Sequence, residues 1–465
     1  MIHDDIEDLP LGRFQNIYEK LKSKPGKKYD FLVKGGEGLK AALYKLFQEV
    51  WRTETLQEGW TDSTISQIAK AGKPDIHNPA NLRHIHDKLD IFKFFETIVV
   101  SYAKEKIYEN MSQFQIACVP GHRVSEHLYV IRSVVAYYNS KGKNLIFTSY
   151  DLAVFFDSED IFDCLDEAYP SEIRGKVYRL LYKMNENIRI KVKTPLGISD
   201  SAETGPLVSQ GSVSAAILSA NNIGNGVEKT FTDKEKEVEY DGKLNLAPLT
   251  FLDDIGRLSE DRDKTQYGNE KLEELISSIN LRFNFEKPNF FIMGNASTRK
   301  KLESQVKDKP LTLCGKTMQQ VKEIKYLGEI LSSNLPESVH QTVLKRVNIA
   351  RLSIYEIRAV IEDRRASIVG GANIGLELWK ASVEQMVFYS LETWLDIRKK
   401  TLKILDNLYN CFFQNLPPNW NWSKYPQLLH SNWDVESSKY NPDGTTKFLP
   451  SSSKFIPSLF GKSDF

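Results

Sequence analysis

Leu249-Thr250-Phe251-Leu252-Asp253-Asp254-Ile255 sets two adjacent carboxylates directly after an apolar run. Neighbouring residues on a regular strand point to opposite faces, so a strand alone could not aim both acids at one target. A tight hairpin could, and a turn at Asp253 and Asp254 would carry both to the rim of a sheet. Hard carboxylate oxygens there suit Mg2+, which keeps octahedral geometry and is commonly shared with substrate phosphates. An acid pair on a turn is also an ordinary solvated feature, so the surrounding sequence decides the reading.

Upstream, the apolar run Leu145 to Tyr150 ends at Asp151, with Phe156 and Asp157 shortly after it. An acid closing a buried strand is well placed to hold a metal, which makes Asp151 the candidate third carboxylate. A helix is expected from Ser158 to Tyr169, with Ser158 as its N-cap. Two basic groups, Lys70 and Arg83, border short extended segments and could close over a triphosphate, Arg83 bidentately and Lys70 as a point charge. Asn187 to Lys193 alternates as a half-buried strand with Arg189, Lys191 and Lys193 on its outer face. Gln210-Gly211 then stands at a loop-to-helix junction, where glycine permits close approach and the Gln amide can donate and accept.

Downstream, a helix is expected over Asn269 to Asn280, and an extended segment over Phe283 to Met293 with Lys287 near its start. Tyr326-Leu327-Gly328 sits in a short hairpin. From Glu337 to Arg365 the stripe Val343, Val347, Ala350, Ile354, Ile357 and Ile361 predicts a helix, flanked by Arg351, Arg358 and Arg365 in a row suited to a phosphate backbone. A further helix is expected through Leu376, Trp379, Val383, Val387 and Trp394. Near the start, residues 12 to 55 also read as largely helical.

The 465 residues leave room for about two to four domains. A net charge of +1 supplies no overall field for nucleic acid, so any such binding must come from local patches. The four cysteines, Cys118, Cys164, Cys314 and Cys411, form no zinc pattern or disulfide framework and fit a reducing compartment. The acidic start lacks the features of a signal peptide, and no apolar run approaches the ~20 residues needed to span a bilayer. The expectation is a soluble, intracellular protein, nuclear or cytoplasmic, with no membrane association.

In their order, these pieces resemble the reverse transcriptases of non-LTR (LINE-type) retrotransposons over roughly residues 35 to 415. Asp151 with Phe156-Asp157, Gln210-Gly211, Phe251 to Asp254, Lys287, and Tyr326-Leu327-Gly328 match the palm elements in sequence. Lys70 and Asn81 to Ile85 look like fingers segments, Gln115 to Arg123 like the Pro-Gly loop, and Glu392-Thr393-Trp394 like a thumb element. His84 stands where the family has proline, and Ser214-Ala215-Ala216 where a Ser-Pro pair is usual.

The resemblance implies an α+β right-hand polymerase fold with fingers, an antiparallel palm sheet packed on helices, and a helical thumb. Its divisions would be an N-terminal helical segment (1–55), fingers and palm (56–335), thumb (336–415) and an irregular tail (416–465). It implies an RNA-directed DNA polymerase working on an RNA template, a DNA primer and deoxynucleoside triphosphates. Two Mg2+ ions, replaceable by Mn2+, would be held by Asp151 and Asp253, with Asp254 a weaker ligand. Lys70 and Arg83 would neutralise the triphosphate, and Lys287 would protonate pyrophosphate. Phe156 would exclude a 2′-hydroxyl, Gln210 and Gly211 would face the nucleotide, and Tyr326 to Gly328 would hold the primer end. Arg351, Arg358 and Arg365 would track the duplex. No endonuclease or Cys/His knuckle accompanies these elements, which implies a separate or missing nuclease. The competing reading is a reverse-transcriptase-derived protein that holds RNA without effective synthesis. A nucleotidyl cyclase would need a Gly-Gly-acidic hairpin that is not here.

Overall fold

A computed structural model describes residues 6–24, 29–70, 75, 77–171, 173–231, 238–240, 244–284, 289–294, 296–362, 371–394, 396–414 and 445–447. The chain opens with helices α1 (Leu11–Lys22) and α2 (Gly36–Thr53). The helical stretch expected over 12–55 is interrupted: a short helix, Asp30–Lys34, intervenes, and Gly36 takes φ 60°, which a continuing helix cannot contain. Strands β1 (Ser63–Ala69) and β2 (Leu82–Asp87) pair antiparallel and lead into α3 (Asp90–Asn110). The apolar face of α3 carries Phe94, whose ring stacks on Phe14 of α1 at 5.6 Å and meets Phe47 of α2 edge-on at 5.0 Å. Each such ring taken from water contributes about 1.5–3 kcal/mol. Helices α1 and α2 share one core with α3 and the helices that follow.

Helix α4 (Val124–Ser140) precedes β3 (Asn144–Tyr150). Beyond it come α5 (Ile161–Ala168), α6 (Gly175–Asn185) and β4 (Arg189–Thr194). The helix expected from Ser158 starts instead at Ile161, since Asp160 is the acid whose side chain accepts the Phe162 N–H, at 2.8 Å. Strand β4 runs parallel to β1, giving the order β2-β1-β4 with short strands at its outer edge. Helix α7 (Ala215–Thr230) then crosses behind the central sheet.

That sheet is completed by β5 (Leu249–Phe251) and β6 (Asp254–Ser259), then, after α8 (Arg262–Ser278), by β7 (Asn289–Gly294). Its order is Gln319–Gln320, β7, β3, β6, β5, and the β7-β3-β6-β5 pairings are antiparallel. Helix α8 starts earlier than expected, at Arg262, where Asp261 caps it by accepting the Lys264 N–H at 2.8 Å. The sheet shares one core with the helices around it, including Ile131, Phe147, Ile223, Leu272 and Phe291.

A hairpin of β8 (Glu323–Tyr326) and β9 (Glu329–Ser332) leads to the long helix α9 (Leu335–Glu362). The predicted stripe on α9 is buried: Val343, Val347, Ala350, Ile354 and Ile357 meet Trp379, Val383, Trp394 and, on α10 (Lys399–Gln414), Leu405 and Phe412. The helix expected through Leu376 to Trp394 is not continuous. It widens into a π-helix at Trp379–Glu384 and ends near Ser390, whose φ of 58° is left-handed. Of the tail from 416, only Thr445–Lys447 is described, as a strand paired with Asp396–Arg398. The chain is α+β: a smaller sheet with helices, a central antiparallel sheet on helices, and a helical unit around α9. Among the described residues no helix is long and apolar enough to cross a membrane.

Candidate active site

The β5–β6 hairpin forms as expected, with its corners one residue earlier. Phe251 pairs with Asp254, so Leu252 and Asp253 make the turn and Asp254 is already the first residue of β6. Leu252 takes φ 54°, a conformation that costs a branched residue energy and must be held by its surroundings. Gln115 supplies the hold: its Oε1 accepts the Leu252 N–H at 3.2 Å and the Ala117 N–H at 3.0 Å, while Thr250 N–H reaches the Phe114 carbonyl at 2.9 Å. Gln115 is packed so tightly on α7 that a Cβ at Gly224 would lie 2.6 Å from its Cβ. The sequence shows this glutamine only as part of a Pro-Gly loop, and the spacing of Gly224 from it carries no signal.

Register places the third acid. Tyr150 of β3 pairs with Ile255 of β6, so the next step of the ladder sets Asp151 across from Asp254. Asp151 is anchored by Asn284, whose main-chain N–H donates to its carbonyl at 2.7 Å and whose Nδ2 donates to its Oδ2 at 2.8 Å. All three acids are half-buried. Burial, then repulsion from Asp253 and Asp151, pushes the Asp254 carboxyl up to about 7. Burial likewise raises Asp253, with Asp151 adding to the rise, while Arg83 and Lys70 pull it back down. The two basic residues singled out in the sequence thus cast their field on the turn from the β1–β2 sheet.

The acids are coupled without being gathered: among the described residues, no three His, Cys, Asp or Glu side chains form a cluster that could hold a metal. Bare carboxylates repel one another, and Asp151 is turned to Asn284. The donor set still fits a hard cation, because Asp253 and Asp254 present carboxylate oxygens side by side, and the repulsion that raises Asp254 is one a bound cation would relieve.

Phe156 lies half-buried in the short helix Phe155–Ser158, its ring 5.1 Å from that of Phe155. Next to it Asp157 Oδ2 faces His84 Nδ1 at 2.8 Å, tying β2 to the segment after β3 at the position where proline was expected. Gln210 is half-buried, and its main-chain carbonyl accepts the His86 N–H at 2.8 Å. Gly211, at φ 114°, passes so close that a Cβ would stand 2.8 Å from the His86 carbonyl oxygen. The close approach foreseen for this glycine is made by the chain's own β2.

The Tyr326 hairpin departs from expectation. Tyr326 is 1% exposed, so its side chain cannot touch a primer. Its ring fills the slot left by Gly256 on β6, where a Cβ would be 2.7 Å from the ring, and its hydroxyl donates to the Leu249 carbonyl at 3.3 Å. Leu327 is half-buried and Gly328 exposed, at φ 46° and 82°, so the turn alone faces outward. Arg351 and Arg358 lie exposed on α9. Lys287 and Arg365 fall outside the described residues.

No protein-family model and no curated protein matches the sequence. Solved structures do resemble the fold. Apo telomerase from Candida tropicalis truncated from the C-terminal domain aligns at 12% identity and a TM-score of 0.40, over 62% of this chain and 59% of that one. Apo telomerase from Candida tropicalis aligns at 10% identity and a TM-score of 0.43, over 84% and 72%. Telomerase from Candida albicans in complex with a TWJ fragment of telomeric RNA aligns at 10% and 0.42, over 83% and 64%. Likenesses this distant carry no residue-by-residue correspondence.

Proposed function

We propose that the chain is an RNA-directed DNA polymerase of the non-LTR retrotransposon kind, adding deoxynucleotides to a primer 3′-hydroxyl on an RNA template. The observation that supports this most directly is the ladder register that sets Asp151 across from Asp254 beside the Asp253 turn, within the field of Lys70 and Arg83.

Asp151 and Asp253, with Asp254 weaker, would hold two Mg2+ ions. When bound, such ions lower the barrier to attack by the primer hydroxyl and stabilise the leaving pyrophosphate. The residues do the rest. Arg83 and Lys70 neutralise the triphosphate, Arg83 as a planar fork and Lys70 as a point charge. The Phe156 ring occupies space that a ribose 2′-hydroxyl would need, which favours deoxynucleotides. Gln210, fixed through its backbone to β2, lines the nucleotide's place. Lys287 would deliver a proton to pyrophosphate. Gln115 keeps the Leu252–Asp253 turn in its left-handed form, so the acids need no rearrangement when substrate arrives.

The test is primer extension on an RNA template with Mg2+, comparing the wild-type chain with the Asp253→Ala, Asp254→Ala variant. A fall of at least about 10³-fold is expected, and equal signal from both would eliminate synthesis at this site. The second reading, an RNA-holding protein without effective synthesis, is favoured by the ungathered acids and the near-neutral charge. RNA binding with no Mg2+-dependent extension by the wild-type chain would select it.

A further inference from the structure

Behind the exposed Leu327–Gly328 turn lies a group of charges that the proposed chemistry does not use. Glu329, fully buried on β9, forms an ion pair with Arg132 of α4 and accepts the Trp394 Nε1–H at 3.0 Å. Arg132 also donates to the Thr393 carbonyl at 2.9 Å. Arg346 of α9 approaches the same Glu329 at 3.6 Å, and its guanidinium spans two carbonyls, Gly328 at 3.1 Å and Tyr389 at 2.5 Å. Its Cζ lies 5.2 Å from the Tyr389 ring centroid. Tyr389 in turn borders Gly328, where an added Cβ would be 3.4 Å from its ring.

We infer that Arg346 is a positioning residue that locks the Leu327–Gly328 turn to the base of α9, so that the turn, the thumb helix and the acids move as one body around the end of a nucleic-acid strand. The turn has two other links. Tyr326 fastens it to Gly256 and Leu249 of the catalytic hairpin, and Glu329 fastens it to α4. Neither restrains the Gly328 carbonyl itself, at the apex. A planar fork that bonds two carbonyls at once fixes both distance and direction, which a single contact would not. The ligand addressed is the sugar-phosphate backbone at a primer's 3′ end, and the inference rests on the polymerase reading.

Arg346→Met removes both carbonyl contacts and leaves the Arg132–Glu329 pair in place. Arg346→Lys keeps a charge near Glu329 but cannot span two carbonyls. In primer extension by the full chain, KM for the primer–template duplex should rise about ten-fold in Arg346→Met and less in Arg346→Lys. KM for the nucleotide should hold, whatever fall in melting midpoint the loss of a buried guanidinium brings. An unchanged primer KM overturns the proposal, as does an equal rise in both KM values. Should Arg346→Met not fold, the Lys variant carries the same comparison. Absence of extension by the wild-type chain would count against the polymerase reading, and the anisotropy of a fluorescein-labelled RNA–DNA duplex then decides. A ten-fold weaker Kd in Arg346→Met upholds the locked turn; an unchanged Kd, or no duplex binding by the wild-type chain, overturns it.

Discussion

Two places in this molecule withdraw carboxylates from water, and they do so in opposite ways. Glu329 is fully buried, yet it is met by Arg132, Arg346 and the Trp394 indole. Asp254 is less buried, yet its neighbours are Asp253 and Asp151, and it is pushed up to about 7. The first arrangement balances charge inside the protein and builds architecture. The second leaves carboxylate repulsion that a cation from outside the protein would relieve, as the proposed function requires. A balanced buried charge is weak evidence of function; an unbalanced one, next to an open turn, is stronger.

The comparison is broken or sharpened first at Glu329. Glu329→Ala strands Arg132, which is 1% exposed, and should destabilise the chain by about 3–5 kcal/mol. Urea unfolding followed by tryptophan fluorescence measures this, since Trp394 touches the carboxylate. Removing an exposed partner, as in Glu109→Ala beside Lys106, should cost under about 1 kcal/mol. Comparable losses at both places would mean that Glu329 is not compensated in the way its contacts indicate.

The second test runs in the other direction. Because the folded-state value of Asp254 lies above its ordinary 3.8, its charged form opposes folding, fully above pH 7 and hardly at all below pH 4. Asp254→Asn should therefore raise the stability of the metal-free chain by about 2 kcal/mol at pH 8, after allowance for solvent screening. The gain should vanish as the pH falls through this window. Loss of stability in the Asn variant at pH 8 would place Asp254 with Glu329 rather than opposite it. A substitution that stabilises the fold while removing extension is the signature of an acid retained for chemistry.

Parts of this contrast were legible in the sequence and parts were not. Asp151, Asp253 and Asp254 stood out because strand periodicity and an acid pair are local patterns, and the ladder register then brought them to adjacent strands. The turn was misplaced by one residue because nothing in Leu252 announces φ 54°, which is imposed by Gln115 from a segment more than a hundred residues away. Tyr326 was assigned with Leu327 and Gly328 to the primer end through the resemblance, which says nothing of where its ring packs. Only the folded chain pairs its ring with the slot at Gly256. Arg132, Glu329 and Arg346 gave no sign at all. Charges on amphipathic helices and short strands are usually solvated, and burial through contacts between four distant segments leaves no periodic trace.

His127 shows a third way of treating a buried ionisable group, and its effect is read in the slope of stability against pH. The ring lies at zero exposure on α4, and burial lowers it from its ordinary 6.5 to about 3, so it is held neutral. For a histidine lowered on folding, the unfolded chain takes up the proton first. Stability is fully present above about pH 6.5 and is lost as the pH falls toward 3, by about 1.4 kcal/mol per pH unit. His127→Gln, which cannot be protonated, should flatten that part of the acid limb while leaving the Asp254 window unchanged. The two residues respond with opposite sign between pH 4 and pH 6.5: acid relieves the carboxylate and burdens the imidazole. Urea midpoints of the two single variants and the double variant across that range would separate them. Identical slopes for wild-type and His127→Gln chains would show that the ring is already accessible to protons, and the neutral core beside the Phe114–Thr250 contact would have to be redrawn.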